Sequence, residues 1–145
     1  MLNDEIQYKC KHFVIEELVP PQVFKDRGQK AWQLLDVRAL MTIDALREKF
    51  GSMTINNWKW NGDRQWSGLR TSDSPYYSPY SQHSFGRAFD CIFKDTTTEE
   101  VRVYILENPD EFPYIKGVEL DGTKTKVNWL HFDVRNIDTL STFRP

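Results

Sequence analysis

The chain is poor in cysteine and histidine and has no long apolar run. Its two cysteines, Cys10 and Cys91, form no CxxC pair in 145 residues, which excludes a zinc site built from thiolates. Each reads as a small buried hydrophobe rather than as half of a disulfide. Only three histidines are present, so any metal site must combine imidazole with carboxylate. No stretch approaches the roughly 18–20 apolar residues of a membrane span, and membrane insertion is not expected. The N-terminus, MLNDEIQYKCKHF, has no basic region followed by an apolar one, so it does not read as a signal peptide. A formal net charge of −2 offers no basic excess to neutralise phosphates, which argues against nucleic acid as a partner. No repeat, low-complexity tract or linker divides the chain, and one domain over residues 1–145 with its own core is expected.

Aromatic residues, by contrast, are plentiful at 14%, with five Trp. FVIEELVPPQVF reads as a short turn or helix stopped by Pro20-Pro21. Trp32, Leu35, Ala39, Ile43, Leu46 and Phe50 recur at helical steps and predict one long helix stopped by Gly51. MTINNWKW alternates like a strand, WSGLRT reads as a second short extended piece, and TSDSPYYSPYS is a loop by composition. GRAFDCIF reads as a strand. TTTEEVRVYILEN reads as a helix, with Thr97 and Glu100 at capping-box spacing and Asn108-Pro109 as its stop. YIKGVEL and KVNWLHFDVRN read as strands joined at an Asp121-Gly122 turn. The fold class is therefore α+β: a small, mainly antiparallel sheet with a long helix and a shorter helix packed against it.

The last strand carries the chemistry. Alternation puts Trp129, His131, Asp133 and Arg135 on one face and the apolar Leu130, Phe132 and Val134 on the other. In GRAFDCIF, Asp90 shares a face with Ala88 and Ile92, where a small domain normally places hydrophobes. A buried carboxylate needs a partner, because an unpaired buried charge is very costly. His83, Asp90 and His131 make a three-ligand set of the kind catalytic zinc takes, with the fourth position left to water. Softer metals are disfavoured by the lack of thiolate and oxygen-seeking ones by the two imidazoles. Gly86 suits a tight turn between His83 and Asp90. The residues alone also allow a core His131 paired with Asp133, and a surface ion pair for Arg70.

SQHSFGRAFD, Ser81 to Asp90, resembles the S-x-H-x-x-G-x-A-x-D pattern of the zinc peptidases that cut peptidoglycan stem peptides. These are the D-Ala-D-Ala carboxypeptidases and L-Ala-D-Glu endopeptidases that share the hedgehog/DD-peptidase fold. WLHFDVRN resembles that family's closing F-V-H-x-D-x-R segment, most closely in its His-x-Asp branch, and WSGLRT resembles its S-G-Y-R-S element. The three motifs stand in the family's order between Trp66 and Asn136. The resemblance implies His83, Asp90 and His131 as zinc ligands. It also implies Arg70 as the group that binds a substrate carboxylate or steadies an oxyanion, and Ser81 at the mouth of the site. Many members carry an acidic general base three residues before the last histidine. That position is Asn128 here, and an amide cannot accept the proton. Asp133 is then expected as the base, or as the residue that orients His131, with Glu119 and Asp121 on the preceding hairpin behind it.

The expected activity is that of a zinc metallopeptidase acting on peptidoglycan peptides, as carboxypeptidase or endopeptidase. Without a signal peptide, such a hydrolase is expected to accumulate in a cytoplasm for release by another factor, like a phage endolysin, or to ride in a phage particle. The competing expectations are a non-catalytic module that binds peptidoglycan or a partner, and a phage structural component, on the same metal-binding fold.

Overall fold

In the computed structural model, residues 8–121 and 128–144 are described. Three helices, α1 (Pro21–Arg27), α2 (Val37–Phe50) and α3 (Thr98–Glu107), accompany five strands: β1 (Met53–Thr54), β2 (Ala88–Phe93), β3 (Gly117–Glu119), β4 (Leu130–Asp133) and β5 (Ser141–Phe143). The strands form one sheet in the order β1-β2-β4-β3-β5. All pairings are antiparallel except that of β3 with β5, so the α+β expectation holds. Among the described residues, no helix is long and apolar enough to cross a membrane.

The apolar face of the sheet forms the core. Phe89 and Cys91 of β2, Leu130 and Phe132 of β4 and Val118 of β3 join Leu40, Ile43 and Leu46 of α2 and Val101 and Ile105 of α3 in one buried cluster. Phe13, Ile15, Leu18 and Val19 from the N-terminal segment join the same cluster. Both cysteines are free thiols; Cys91 is buried and Cys10 partly so.

The local structure departs from the sequence expectation where polar side chains or proline redirect the backbone. Pro21 starts α1 instead of ending a helix, because a first-turn proline has no N–H to leave orphaned and a φ already suited to the helix. The preceding segment makes only a 3-10 turn, Ile15–Glu17. The helix expected from Trp32 to Phe50 is broken at Leu35, which is extended. Asp36 then caps α2, accepting from the Arg38 amide at 2.8 Å. Gly51 ends α2 as expected, at φ 87°. The strand expected at MTINNWKW stops at Thr54. Beyond it, asparagine side chains replace ladder bonds: Asn56 accepts from the Ser67 amide and Asn57 from the Arg64 amide. WSGLRT forms no strand, but Ser67 and Leu69 tie to Asp90 and Leu18 through the backbone. Thr97 caps α3 as expected, accepting from the Glu100 amide at 3.1 Å. Gly122 of the expected Asp121-Gly122 turn, and Lys126 and Val127 of the expected last strand, lie outside the described residues.

Gly86 joins the helical layer to the site. It sits at φ 67°, and its carbonyl accepts from the Asp36 amide at 2.9 Å. A Cβ there would lie 2.2 Å from the Leu34 carbonyl oxygen. Gly86→Ala therefore meets both a left-handed backbone and a backbone clash, and a loss of more than about 2 kcal/mol is expected in urea denaturation. A loss within about 0.5 kcal/mol would contradict this account of the turn.

Candidate metal centre

Two chain segments and one strand pairing assemble the site. A 3-10 turn, Gln82–Phe85, presents His83, and the Ser81 hydroxyl caps it by accepting from the His83 amide at 3.3 Å. Gly86 then turns the chain into β2. Asp90 on β2 stands directly across from His131 on β4. The next pair on the same face, Ala88 and Asp133, also has Gly117 of β3 beside it. A Cβ at Gly117 would lie 2.4 Å from an Asp133 carboxylate oxygen, so the absent side chain is the room that carboxylate occupies.

One face of the sheet thus carries a row of chemistry across four strands. Asp90 (β2) pairs with His131 (β4), and Glu119 (β3) pairs with Phe143 (β5). The β3–β4 register, Gly117 with Asp133 and Val118 with Phe132, brings Glu119 alongside His131 when continued by one residue. Phe132 and Val134 are buried with the core, as the alternation expected along WLHFDVRN requires.

His83, Asp90 and His131 are all buried, and one donor atom from each lies within 4.8 Å of the others. Asp90 Oδ1 is 3.2 Å from His83 Nε2 and 3.0 Å from His131 Nδ1. The outer nitrogens are fixed by acceptors: His83 Nδ1 lies 2.8 Å from the Gly68 carbonyl oxygen and His131 Nε2 lies 3.0 Å from Asp133 Oδ2. A carbonyl oxygen can only accept, so Nδ1 of His83 carries a proton, and Asp133 sets the corresponding preference at Nε2 of His131. When neutral, each imidazole turns a lone pair inward to one point, the arrangement in which metal-bound histidines are held from behind. Two such nitrogens and one carboxylate oxygen fit a metal ion of borderline softness.

The charged surroundings divide the roles of the carboxylates. Burial alone would raise Asp90, but His83 and His131 outweigh it and hold its carboxyl far below the usual range. Arg70 Nη2 meets its second oxygen at 3.1 Å, and Arg70 Nε donates to the Trp66 carbonyl at 2.7 Å. Asp133 is fully buried. Burial again opposes its charge, but Arg135 and His131 win and hold it at about 2; Arg135 Nε and Nη2 both reach it at 2.7 Å. Glu119 differs. Burial lifts its carboxyl above the usual range, with Asp90 adding to the rise and the two histidines opposing it. Among the described residues, no side chain or amide hydrogen-bonds its carboxylate.

The centre forms part of the wall of an open cleft of about 630 Å³ that Arg70, Ser81, Glu119, Asp133 and Arg135 also line. Asn128 and Asp121 are elsewhere, lining a separate hollow beside the start of α3. Asn128 is exposed, and its backbone carbonyl accepts from Thr98 Oγ1 at 3.1 Å. Trp66 and the loop tyrosines Tyr76 and Tyr80, which the sequence offers as the wall of a peptide groove, line this cleft. Sequence reasoning missed Phe143, because the three-residue β5 gave no periodic signal at all. No protein-family model, curated protein or solved structure matches this chain.

Two outcomes are expected. Asp133→Asn leaves the inward donors in place but loosens His131, and should weaken zinc affinity about 10–100-fold in a competition titration; unchanged affinity would contradict the role of Asp133. In the metal-free protein, burial disfavours the His131 imidazolium, but its bonds to Asp133 and Asp90 raise it from 6.5 to about 9. The folded value exceeds the unfolded one, so this contribution to stability is complete below pH 6.5 and is lost as pH rises through 9. Denaturation midpoints of the metal-free protein should fall across that window, and less steeply in His131→Gln. Equal slopes in the two proteins would contradict the coupling.

Proposed function

We propose that the protein is a zinc-dependent peptidase that hydrolyses peptide bonds in peptidoglycan stem peptides. The observation that carries this reading is the inward convergence of two imidazole nitrogens and one carboxylate on a single point at the wall of an open cleft. Bound there, zinc supplies Lewis acidity, which polarises a carbonyl and brings the ionisation of water toward neutral pH. The three motifs described above favour peptidoglycan peptides as the substrate class.

The chain's own groups divide the remaining work. Arg70, fixed on Asp90 and on the Trp66 carbonyl with Tyr76 packed 5.7 Å from its guanidinium carbon, holds a positive charge in the cleft. That charge suits a substrate carboxylate or the carbonyl oxygen as it gains negative charge. Glu119 is the proton acceptor, since its carboxylate lines the cleft beside His131 and its raised pKa makes it the more basic of the two candidates. Asp133, engaged on both oxygens and held at about 2, orients His131. Tyr76 and Tyr80, both well exposed, offer rim surface along which an extended peptide lies. In this reading the enzyme reaches the wall after release from a cytoplasm by another factor, or as part of a phage particle.

Incubation of the zinc-loaded protein with purified peptidoglycan should release stem-peptide fragments and stop on chelation. Glu119→Gln should lower kcat about 10²–10⁴-fold with zinc content unchanged. Full turnover in that variant would remove Glu119 as the base. Zinc-loaded wild type that releases no peptide would overturn the peptidase reading and leave peptidoglycan binding without cleavage.

A further inference from the structure

The strand β5 closes the outer side of the site. It pairs in parallel with β3, and the Leu120 amide donates to the Phe143 carbonyl at 2.7 Å. Glu119 and Phe143 are register partners, so the Phe143 ring falls on the same face as the candidate ligands. Its centroid lies 5.3 Å from the His131 ring, with the planes at 81°, an edge-to-face contact. The Arg135 guanidinium carbon lies 5.0 Å from the same centroid. A single ring therefore touches both the histidine that points inward and the arginine that clamps Asp133.

We propose that Phe143 is a positioning residue of the metal centre, fixing the plane of the His131 imidazole and holding Arg135 on Asp133. This inference rests on His131 being a metal ligand. Asp133 determines where His131 Nε2 points, and Phe143 packs against the ring itself. Arg135 has 30% of its side chain exposed, and the aromatic face opposes its withdrawal into solvent. Without β5, His131 and Arg135 therefore lose the same wall together.

The test compares Phe143→Leu, Phe143→Tyr and wild type after circular dichroism confirms that each is folded. In cobalt-loaded protein, Phe143→Leu should shift the visible ligand-field spectrum and weaken metal affinity roughly tenfold, at the low end of what outer partners of metal ligands contribute. Phe143→Tyr, which keeps the ring, should restore both. On stem peptides, kcat should fall in Phe143→Leu with KM little changed. In metal-free protein, the His131 ring protons should lose their ring-current shift in Phe143→Leu and keep it in Phe143→Tyr. A Phe143→Leu protein with wild-type spectrum, affinity and ring-proton shifts overturns the proposal while leaving the metal centre standing. Wild type that takes up no metal overturns the metal reading and this proposal with it. Metal uptake without turnover overturns only the peptidase reading, because the spectrum and affinity still decide the role of Phe143.

Discussion

A buried carboxylate governs this structure. Asp90 is nearly sealed from solvent on a strand whose other residues are mostly apolar, and an unpaired charge there would cost several kcal/mol. The fold brings two histidines to one of its oxygens and an arginine to the other. The features nearby serve that convergence. Gly86 makes the turn that returns His83 to Asp90, Ser81 caps the turn that carries His83, and the β2–β4 register puts His131 opposite Asp90. A polar cluster of this kind contributes little to stability over a well-packed apolar one, so its presence is better explained by what it can hold.

The sheet separates two jobs that a single face could not perform. Its core side packs Phe89, Cys91, Leu130 and Phe132 without a polar interruption. Its other side carries Asp90, His131, Glu119 and Phe143 in one row, with Ala88 and Gly117 leaving room for Asp133. The carboxylates in and beside this row are unlike. Asp90 and Asp133 are held ionised by cationic neighbours, whereas Glu119 has no such direct partner and is pushed upward by burial. Environments that drive equivalent groups apart in basicity are what acid–base chemistry at one pH requires.

Much of this was legible in the sequence, for identifiable reasons. Alternation in WLHFDVRN separates the core residues from the site residues correctly because β4 is regular and central. Asp90 was readable because it was a carboxylate where packing alone called for an apolar residue, and His83 and His131 because the motifs SQHSFGRAFD and WLHFDVRN carry them. Asn128 gave no guide to the site. It stands three residues before His131, which in an extended chain places it on the opposite face, and the structure puts it beside α3. The place of Glu119 beside His131 carried no signal, because it follows from a long-range strand register. Phe143 was invisible for the same reason: β5 has three residues, and only its pairing with β3 gives it a place. The broken helix at Leu35 and the shortened β1 reflect side-chain capping by Asp36, Asn56 and Asn57, which periodicity does not register.

X-ray absorption at the zinc edge of the purified, zinc-loaded protein tests the central claim most directly. One zinc per chain is predicted, with a first shell of nitrogen and oxygen at about 2.0–2.2 Å, two imidazole scattering patterns and no sulfur. His83→Ala and His131→Ala should each remove one imidazole pattern or the metal itself. A sulfur shell near roughly 2.3 Å, or a protein that takes up no zinc, would contradict the site built on Asp90.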